Sequence, residues 1–293
     1  MWNTLTQLLS ETLNSPFTLV HKQQLTNSSA DHLFKISDGQ HQFFVKVAPL
    51  ASLERLECEA ADLELLTKES LFMVPDCLLT GTTLEYCFNV LEWLDLEPHT
   101  DQAKQLGWTH MGEYLAQLHA KHEQGMFGNE RDNFIGITAQ PNRWHKKWDV
   151  FFSEDRIGWQ LQLLAEKGFY FCDIDEFVSQ VKDTLHHHHI QPSLLHGDFW
   201  RGNVGFHGGV PCVYDPACYY GDREVDIAMS RFFGAFPDTF YDAYQSVYPL
   251  AEGYEQRERI YNLYHLLNHA NIFAGHYLTQ AKETIDSVIK EYD

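Results

Sequence analysis

The stretch that most constrains this chain is residues 194–226, which reads LLHGDFWRGNVGFHGGVPCVYDPACYYGDREVD. An H-G-D motif ends at Asp198, and Asn203 follows it at the spacing D-x-x-x-x-N. Two short β-rich runs come next and flank a Gly-Gly turn signal, which predicts a hairpin. Asn203 and Asp215 lie at the two ends of that hairpin. Because Mg²⁺ prefers carboxylate and amide oxygens, the stretch predicts a magnesium site.

The D-x-x-x-x-N spacing resembles the catalytic loop of kinases, in which the Asp accepts the proton of the substrate hydroxyl and the Asn binds metal. Gly197 lies where protein kinases carry Arg, and Asp215 begins a D-P-A sequence where they carry D-F-G. The H-G-D form is similar to the small-molecule branch of the kinase-like fold, the aminoglycoside and choline phosphotransferases. The longer string HGD-x-W-x-GN…DPA-x-Y-x-GDRE-x-D-x-A resembles the fructosamine kinase (ketosamine 3-kinase) family, bacterial branch.

For this stretch the resemblance implies phosphoryl transfer from ATP with Mg²⁺. Asp198 would be the catalytic residue, and Asn203 and Asp215 would be the metal ligands. The alternative is structural, because a lone H-G-D tripeptide occurs often by chance and an aspartate beside a glycine usually marks a turn. The presence of all three polar residues, together with the flanking apolar runs, favours the catalytic interpretation.

The resembled family phosphorylates the 3-hydroxyl of the sugar in fructosamines and related ketosamines, which destabilises the adduct and frees the amine. The resemblance therefore implies a ketosamine substrate, free or protein-bound and derived from fructose or from ribulose. The candidate substrate contacts are Trp200, which matches a tryptophan of the family, Arg201, where the family usually has Ser, and Asp222 and Arg223. Asp226 is expected to hold the catalytic loop by hydrogen bonds.

Lys46 lies in an apolar strand, FFVKV, where its charge is costly unless it is paired. In kinases the lysine at this place contacts the α- and β-phosphates and pairs with a helix glutamate. The following segment, 50–67, predicts a helix with several glutamates. Glu59 is the predicted partner, because LECEAADL resembles the family's F-x-x-E-A-x-x-L at that residue. The alternative is an edge-strand lysine that faces water.

The expected phosphate-covering turn departs from the family pattern. Between the first two strands the chain reads LTNSSA, and Thr26–Ala30 contains no glycine where the family usually has Gly-Gly. Asn and Ser tolerate turn geometry, and their side chains can donate hydrogen bonds to phosphate. The loop therefore predicts either a working phosphate turn or a weak affinity for ATP.

The N-terminal region predicts a small sheet with helices. A helix is predicted at 2–13, strands at 17–25, 32–37 and 41–47, and a further hairpin at 77–93 with its turn at 81–83. The apolar run VLEWLDLEP then breaks into acidic residues and proline, as expected of a hinge between lobes. The backbone groups expected to bind adenine there are those of Glu92, Trp93, Leu94 and Asp95.

The predicted architecture is an α+β, protein-kinase-like fold of two lobes, divided near Leu94. Residues 1–94 would form the nucleotide-binding N-lobe, a small antiparallel sheet with one helix pair, and residues 95–293 the larger, mostly helical C-lobe with the catalytic loop and the substrate site. Helices are predicted in the second lobe at 100–122, 174–189, 222–233, 238–248 and 255–292.

Two segments of the second lobe are candidates for the substrate pocket. Residues 125–144 have too little periodicity for regular structure, and the helix that follows carries Trp148, Phe151 and Phe152. The resemblance implies that both segments help to form the sugar-amine pocket, whereas most of the aromatic residues are expected in the core. The run 186–189 of four histidines is interpreted as a solvated helix end, with metal binding as the less favoured alternative.

The composition limits the partners. With 41 acidic and 21 basic residues the formal charge is −20, which argues against nucleic acid and against an anionic membrane surface. The first residues lack a signal-peptide pattern, no apolar run approaches membrane-spanning length, and the six cysteines form no C-x-x-C pair. We therefore expect a cytoplasmic protein with reduced thiols, as a monomer or a small homo-oligomer.

Two other functions fit parts of the pattern. A kinase of another hydroxylated amine or sugar, of the aminoglycoside or choline type, fits the H-G-D and D-P-A motifs equally well. A weakly active pseudokinase is favoured only by the glycine-free turn. A non-enzymatic interaction module would not need Asp198, Asn203 and Asp215 together.

Overall fold

The computed structural model describes residues 1–25, 31–97 and 105–290. The first part of the chain forms one antiparallel sheet in the strand order β1-β2-β3-β5-β4, with a helix before it and another between its strands. In chain order these elements are α1 (Trp2–Leu13), β1 (His21–Gln24), β2 (His32–Ser37), β3 (Gln42–Pro49), a 3₁₀ turn (Leu50–Ser52), α2 (Leu53–Glu69), β4 (Cys77–Thr82) and β5 (Tyr86–Glu92).

The two helices cover opposite faces of this sheet. Successive strand residues point to opposite faces, so Val45 joins the cluster that Leu5 and Leu9 of α1 close. Ala48 faces the other way and packs with Leu56 of α2. Lys46 has the same parity as Ala48, and β3 is the central strand, so the lysine points toward α2 and away from water.

The hairpin of β4 and β5 turns later than the sequence predicts. Gly81 was expected in the turn, but it lies within β4 and pairs with Phe88. A Cβ at Gly81 would lie 2.5 Å from the Phe88 ring, so the glycine serves close packing in place of a turn. The turn itself is closed by the backbone bond from Thr83 N to Tyr86 O, 2.7 Å long.

The second part of the chain is mostly helical. Its elements are α3 (Gln105–His119), β6 (Asn133–Ile135), β7 (Thr138–Gln140), α4 (Trp148–Val150), a π-helical turn (Phe151–Gly158), α5 (Trp159–Glu166), α6 (Ile174–Leu185), β8 (Ser193–Leu195), a 3₁₀ turn (Arg201–Asn203), β9 (Val204–His207), β10 (Val210–Val213), β11 (Tyr219–Gly221), α7 (Glu224–Phe232), α8 (Asp238–Val247), α9 (Tyr254–Phe273) and α10 (His276–Lys290). No helix among the described residues is long and apolar enough to cross a membrane.

Two helices of this part end several residues before their predicted ends. The helix predicted at 174–189 ends at Leu185, because its buried stripe of Phe177, Val181 and Leu185 has no further apolar member. The histidine run therefore begins at the C-cap of α6, His186, so it follows the end of the helix as interpreted, but the helix itself stops four residues before 189. The helix predicted at 100–122 is described from Gln105 and ends at His119.

The segment 125–144 contains regular structure that the sequence did not predict. Strands β6 and β7 form a hairpin within it. Its contacts are polar: Asn133 Nδ2 donates to Cys218 O at 3.0 Å, and Gln140 Nε2 donates to Asn133 Oδ1 at 2.7 Å and to Ala217 O at 3.3 Å. Because amides hold the segment, it shows no hydrophobic periodicity.

Most of the aromatic residues near 148 were predicted to lie in the core, and the helical part of the chain confirms this. Trp148, Phe151 and Phe152 are buried together where α4 passes through the π-helical turn. Arg156, on the same turn, is fully buried with its guanidinium 4.4 Å from the centre of the Phe151 ring and 4.1 Å from that of Tyr219. Such stacking lets a guanidinium be buried between aromatic side chains.

The chain divides into two compact units. The sheet unit contains residues Met1–Gly107 and Gly205–Asp215, and the helical unit contains Trp108–Val204 and Pro216–Asp293. The division lies later than the predicted boundary near Leu94, and it adds the hairpin of β9 and β10 to the sheet unit. Backbone bonding explains this, because Glu97 N donates to Phe206 O at 2.8 Å and Gly209 N donates to the Glu97 carboxylate at 3.1 Å.

Candidate active site

The sheet unit brings one buried cation against two carboxylates. Lys46 Nζ lies 2.6 Å from Glu59 Oε1 and 2.7 Å from Asp215 Oδ1. Glu59 stands one turn beyond Leu56 on α2, on the face that covers β3. The predicted Lys46–Glu59 pair is therefore formed. The alternative of a water-facing edge lysine is wrong, because Lys46 is 6% exposed and lies on a central strand.

The three charged side chains of this group differ in their pKa values and in their exposure to solvent. Burial lowers the pKa of Lys46, but the carboxylates of Asp215 and Glu59 outweigh it and raise the pKa above its usual value, so the lysine stays cationic. Burial raises the pKa of Glu59 to about 7 against the opposing effect of Lys46. Asp215 differs from both, because its side chain is 51% exposed.

Asp215 also has an unusual backbone. Its φ of +52° lies in the left-handed region, which is uncommon for any residue except glycine. Aspartate tolerates this region better than most residues, and strained backbone positions cluster at functional sites. The conformation directs a half-exposed carboxylate onto the buried lysine at the end of β10.

The helical unit holds the second group, the H-G-D loop that follows β8. The side-chain nitrogen of Asn203, Nδ2, donates to Asp198 Oδ2 at 2.8 Å and to Asp198 O at 3.0 Å. These bonds fix one carboxylate oxygen of Asp198 and leave the amide oxygen of Asn203 as the atom that can ligate a metal. The spacing D-x-x-x-x-N thus places its two polar groups in direct contact.

Gly197 shows why this loop requires glycine at its centre. Its φ is +83°, and a Cβ there would lie 1.9 Å from the carbonyl oxygen of Ala217. The two backbone segments approach so closely because Ala217 N donates to His196 O at 2.9 Å. No larger residue fits without moving this backbone, which accounts for the H-G-D form.

Asp226 anchors the loop from α7. Its oxygens accept the backbone N–H groups of His196 at 2.8 Å and of Gly197 at 3.0 Å, which confirms the predicted bonding. Burial alone would raise the pKa of Asp226, but the hydrogen bonds that its carboxylate accepts, above all the one with His119, outweigh it and lower the pKa. The carboxylate therefore remains ionised although it is fully buried.

His119 also helps to support this loop, and the sequence interpretation missed it. Its Nε2 lies 3.3 Å from Asp226 Oδ2, and its Nδ1 lies 2.9 Å from the hydroxyl of Tyr244. A signal was present, because His119 follows Leu115 by four residues on the buried stripe of α3. A polar residue on such a stripe needs a buried partner.

The candidate substrate residues beside the loop have their own contacts in the helical unit. The half-buried indole of Trp200 meets Phe233 edge-on with ring centres 5.4 Å apart. A Cβ at Gly202 would lie 2.3 Å from the same indole, so the glycine at this position allows the Trp200 ring to pack directly on the backbone of Gly202. The guanidinium of Arg201 donates to Ala235 O at 3.1 and 2.8 Å.

Asp222 and Arg223 are buried at the start of α7. Asp222 accepts hydrogen bonds from His188 Nε2, at 2.8 Å, and from the hydroxyl of Tyr261. Arg223 donates to the Tyr244 hydroxyl at 3.0 Å and stacks on Tyr248 at 3.7 Å. These contacts support the fold of the helical unit, and a substrate role for the pair stays a prediction.

The predicted adenine site also stays a prediction. Glu92 N donates to Asp76 O at 2.9 Å, and Trp93 Nε1 donates to Asp95 Oδ1 at 2.6 Å. The ammonium of Lys35 lies 4.0 Å from the centre of the Trp93 ring. Leu94 contributes its carbonyl to a short turn. The glycine-free turn Thr26–Ala30 lies outside the described residues.

Comparison with known proteins identifies the family. Residues 1–291 match the model of the fructosamine kinase family. The chain belongs to this family. A "Probable ketoamine kinase" of Vibrio parahaemolyticus is 47% identical over 289 residues, which cover 99% of each chain. The solved structure of a "Putative fructosamine-3-kinase" from Haemophilus somnus has a TM-score of 0.93 at 37% identity, covering 99% of this chain and 98% of that one.

A more distant likeness places the fold in a wider group. The structure of a thermostable mutant of the aminoglycoside phosphotransferase APH(4)-Ia, in complex with AMP-PNP and hygromycin B, has a TM-score of 0.65 at 14% identity, and the match covers 98% of each chain. This confirms the predicted α+β, protein-kinase-like fold with a small antiparallel sheet lobe and a larger helical lobe. Membership of the family makes the chain a kinase, a phosphotransferase with an alcohol acceptor that acts on a sugar amine.

Proposed function

We propose that this kinase uses ATP and Mg²⁺ to phosphorylate the 3-hydroxyl of the sugar in a ketosamine, derived from fructose or ribulose. The product is less stable than the substrate and releases the amine, so the activity would serve deglycation. The observation that carries the proposal is the Asp198–Asn203 pair, fixed by direct hydrogen bonds on a loop that Asp226 anchors. Family membership supports the substrate class.

The sheet unit supports the nucleotide part of the proposal. Lys46 would contact the phosphates of ATP while Glu59 holds its side chain in place. The backbone from Glu92 to Asp95 would bind adenine. Asn203 and Asp215 fit Mg²⁺ chemically, because an amide oxygen and a half-exposed carboxylate are hard oxygen donors. The ion would supply neutralisation of phosphate charge.

Asp198 would orient the acceptor hydroxyl and take its proton at the carboxylate oxygen that Asn203 does not hold. Phosphoryl transfer passes through a loose transition state, so alignment of the hydroxyl matters more than the basicity of the carboxylate. The half-exposed indole of Trp200, two residues along the chain, would cover the sugar or its amine substituent. Arg201, Asp222 and Arg223 stay candidates for substrate contacts.

We further propose that the enzyme works in the cytoplasm as a monomer or a small homo-oligomer. All six cysteines are free thiols, which suits a reducing compartment. The acidic excess that gives a charge of −20 suits a cationic amine as substrate and disfavours nucleic acid and anionic membranes as partners.

The decisive experiment is a coupled assay of ADP release with Mg·ATP. The acceptors are a fructose-amine, a ribulose-amine, free fructose, choline and kanamycin. We expect turnover with the ketosamines, and the Asp198→Asn variant should lose it roughly a thousand-fold or more, since a positioned base and an aligned hydroxyl act together. Asp242→Asn, on an exposed position of α8, is the matched control and should keep full activity.

The outcomes separate the competing functions. Preference for choline or kanamycin would replace the ketosamine proposal with a kinase of another hydroxylated amine. ATP binding without turnover on any acceptor would indicate a pseudokinase and direct attention to the turn Thr26–Ala30. Equal activity of the Asp198→Asn and wild-type enzymes would refute the catalytic role of that residue.

A further inference from the structure

The histidine run brings one imidazole against two buried carboxylates at the start of α7, and none of the three is the proposed base or a proposed magnesium ligand. His188 Nε2 lies 2.8 Å from Asp222 Oδ2 and 3.7 Å from Glu224 Oε2. All three ligand atoms lie within 4.8 Å of one another. Asp222 and Glu224 are each 1% exposed, whereas the His188 side chain is 9% exposed and forms the open side of the group.

A cavity gives access to this group. It has a volume of about 270 Å³, which is room for an ion and several waters. His188, Asp222 and Glu224 all line it, and two more imidazoles, those of His122 and His189, line the same cavity. The cavity thus combines nitrogen and oxygen donors in a space open to solvent.

The two carboxylates are already oriented by other side chains. The Arg257 guanidinium donates to both oxygens of Glu224, at 2.7 and 2.9 Å. Asp222 accepts from the Tyr261 hydroxyl and, through its other oxygen, from Glu224 N at 3.0 Å. Hydrogen bonds of this kind commonly fix the carboxylates that bind a metal.

The charge balance of the group favours a cation. Arg257 pairs with the buried carboxylate of Glu224, whereas the buried carboxylate of Asp222 accepts from the uncharged Tyr261 hydroxyl and Glu224 N–H besides its contact with His188. Metal bonds to nitrogen and oxygen of about 2.0–2.2 Å place neighbouring ligand atoms about 3.0–3.5 Å apart. The two observed separations, 2.8 and 3.7 Å, lie on either side of that range, so small side-chain movements are enough to admit an ion.

We propose that His188, Asp222 and Glu224 form a binding site for one divalent transition-metal ion of the Zn²⁺ type, with water from the cavity completing its coordination. One imidazole with two carboxylates suits zinc, cobalt or manganese better than magnesium, which prefers oxygen ligands alone. The ion would join the segment before β8, which leads into the H-G-D loop, to the start of α7. This site does not depend on the proposed substrate.

The test measures metal binding by protein that carries no added polyhistidine tag and has been treated with a chelator. Zn²⁺ binding is followed by titration calorimetry, and Co²⁺ binding by its visible absorption. We expect one ion per chain and a metal-dependent rise in melting temperature. Asp222→Asn and Glu224→Gln should weaken binding ten-fold or more although all four histidines remain. Asp183→Asn, an exposed carboxylate beside the same run, is the matched control.

Three outcomes would overturn the proposal. The first is absence of binding at micromolar Zn²⁺ by the wild-type protein. The second is unchanged affinity in Asp222→Asn and Glu224→Gln with loss of binding in His187→Ala, which would show that the histidine run binds metal by itself. If the carboxylate variants fail to fold, His188→Ala at the cavity wall replaces them, and unchanged affinity in this variant is the third.

Discussion

Asp226 shows how one buried charge can position a catalytic group without touching the substrate. It accepts the N–H groups of the two residues that precede Asp198, and it is itself held by His119. His119 in turn contacts the hydroxyl of Tyr244 on α8. The conformation of the loop is therefore set by a chain of buried hydrogen bonds that involves three helices, α7, α3 and α8.

The substitution Asp226→Asn tests this arrangement. It keeps the side-chain shape but replaces one acceptor oxygen with an NH₂ group that faces a backbone N–H. We expect the unfolding free energy to fall by about 1–3 kcal/mol and kcat to fall roughly ten-fold or more, with less effect on the KM for ATP, because the acceptor hydroxyl is misaligned. Urea unfolding and steady-state kinetics measure these effects, with Asp242→Asn as control. An unchanged kcat would show that other contacts hold the loop.

The elements that the sequence predicts best are those that bury a regular apolar stripe. Helix α1, which buries Leu5 and Leu9, has its predicted bounds for this reason. The pairing of Lys46 was also predictable, because a lysine in an apolar strand demands a local counter-charge and α2 follows directly. The hairpin of β6 and β7 was not predictable, because Asn133 and Gln140 bond carbonyls 85 and 77 residues further along the chain. Such partners leave no local pattern.

That hairpin acts as a support for the D-P-A segment, which Gln140→Leu should reveal. The change removes the bonds from Gln140 Nε2 to Asn133 and to Ala217 O, two residues after Asp215, and leaves the Tyr264 hydroxyl without its acceptor. We expect a loss of about 2–4 kcal/mol of unfolding free energy, because several buried polar groups lose partners together. We also expect a lower kcat.

The measurements for Gln140→Leu are chemical unfolding and steady-state kinetics with the preferred acceptor. Ile137→Ala, in the exposed turn of the same hairpin, is the control and should change neither quantity by much. A kcat that stays at the wild-type value while stability falls would show that the hairpin supports the fold alone and not the geometry of the D-P-A segment.

At the scale of the whole molecule, several buried titratable groups are held in one protonation state by their surroundings. Lys46 stays cationic between carboxylates, and Asp226 stays anionic under hydrogen bonds. Among the 17 histidines, His119, His265 and His269 are held neutral, because burial lowers the pKa of each ring. The sequence shows that the chain is rich in histidine, but only the fold determines which rings are buried.

The buried histidines predict how the stability of the protein depends on pH. Burial lowers the pKa of His265 to about 3, and neither ring nitrogen has a hydrogen-bond partner among the described residues. A histidine in the unfolded chain titrates near 6.5, so below that pH the unfolded state binds more protons and the unfolding free energy falls. His265→Leu should therefore stabilise the protein by about 1 kcal/mol at pH 7 and by about 2 kcal/mol more at pH 5. Urea unfolding between pH 7.5 and 5 tests this, with His21→Leu on the exposed strand β1 as control. Equal slopes of stability against pH in His265→Leu and the wild type would show that the ring does not remain neutral in the fold.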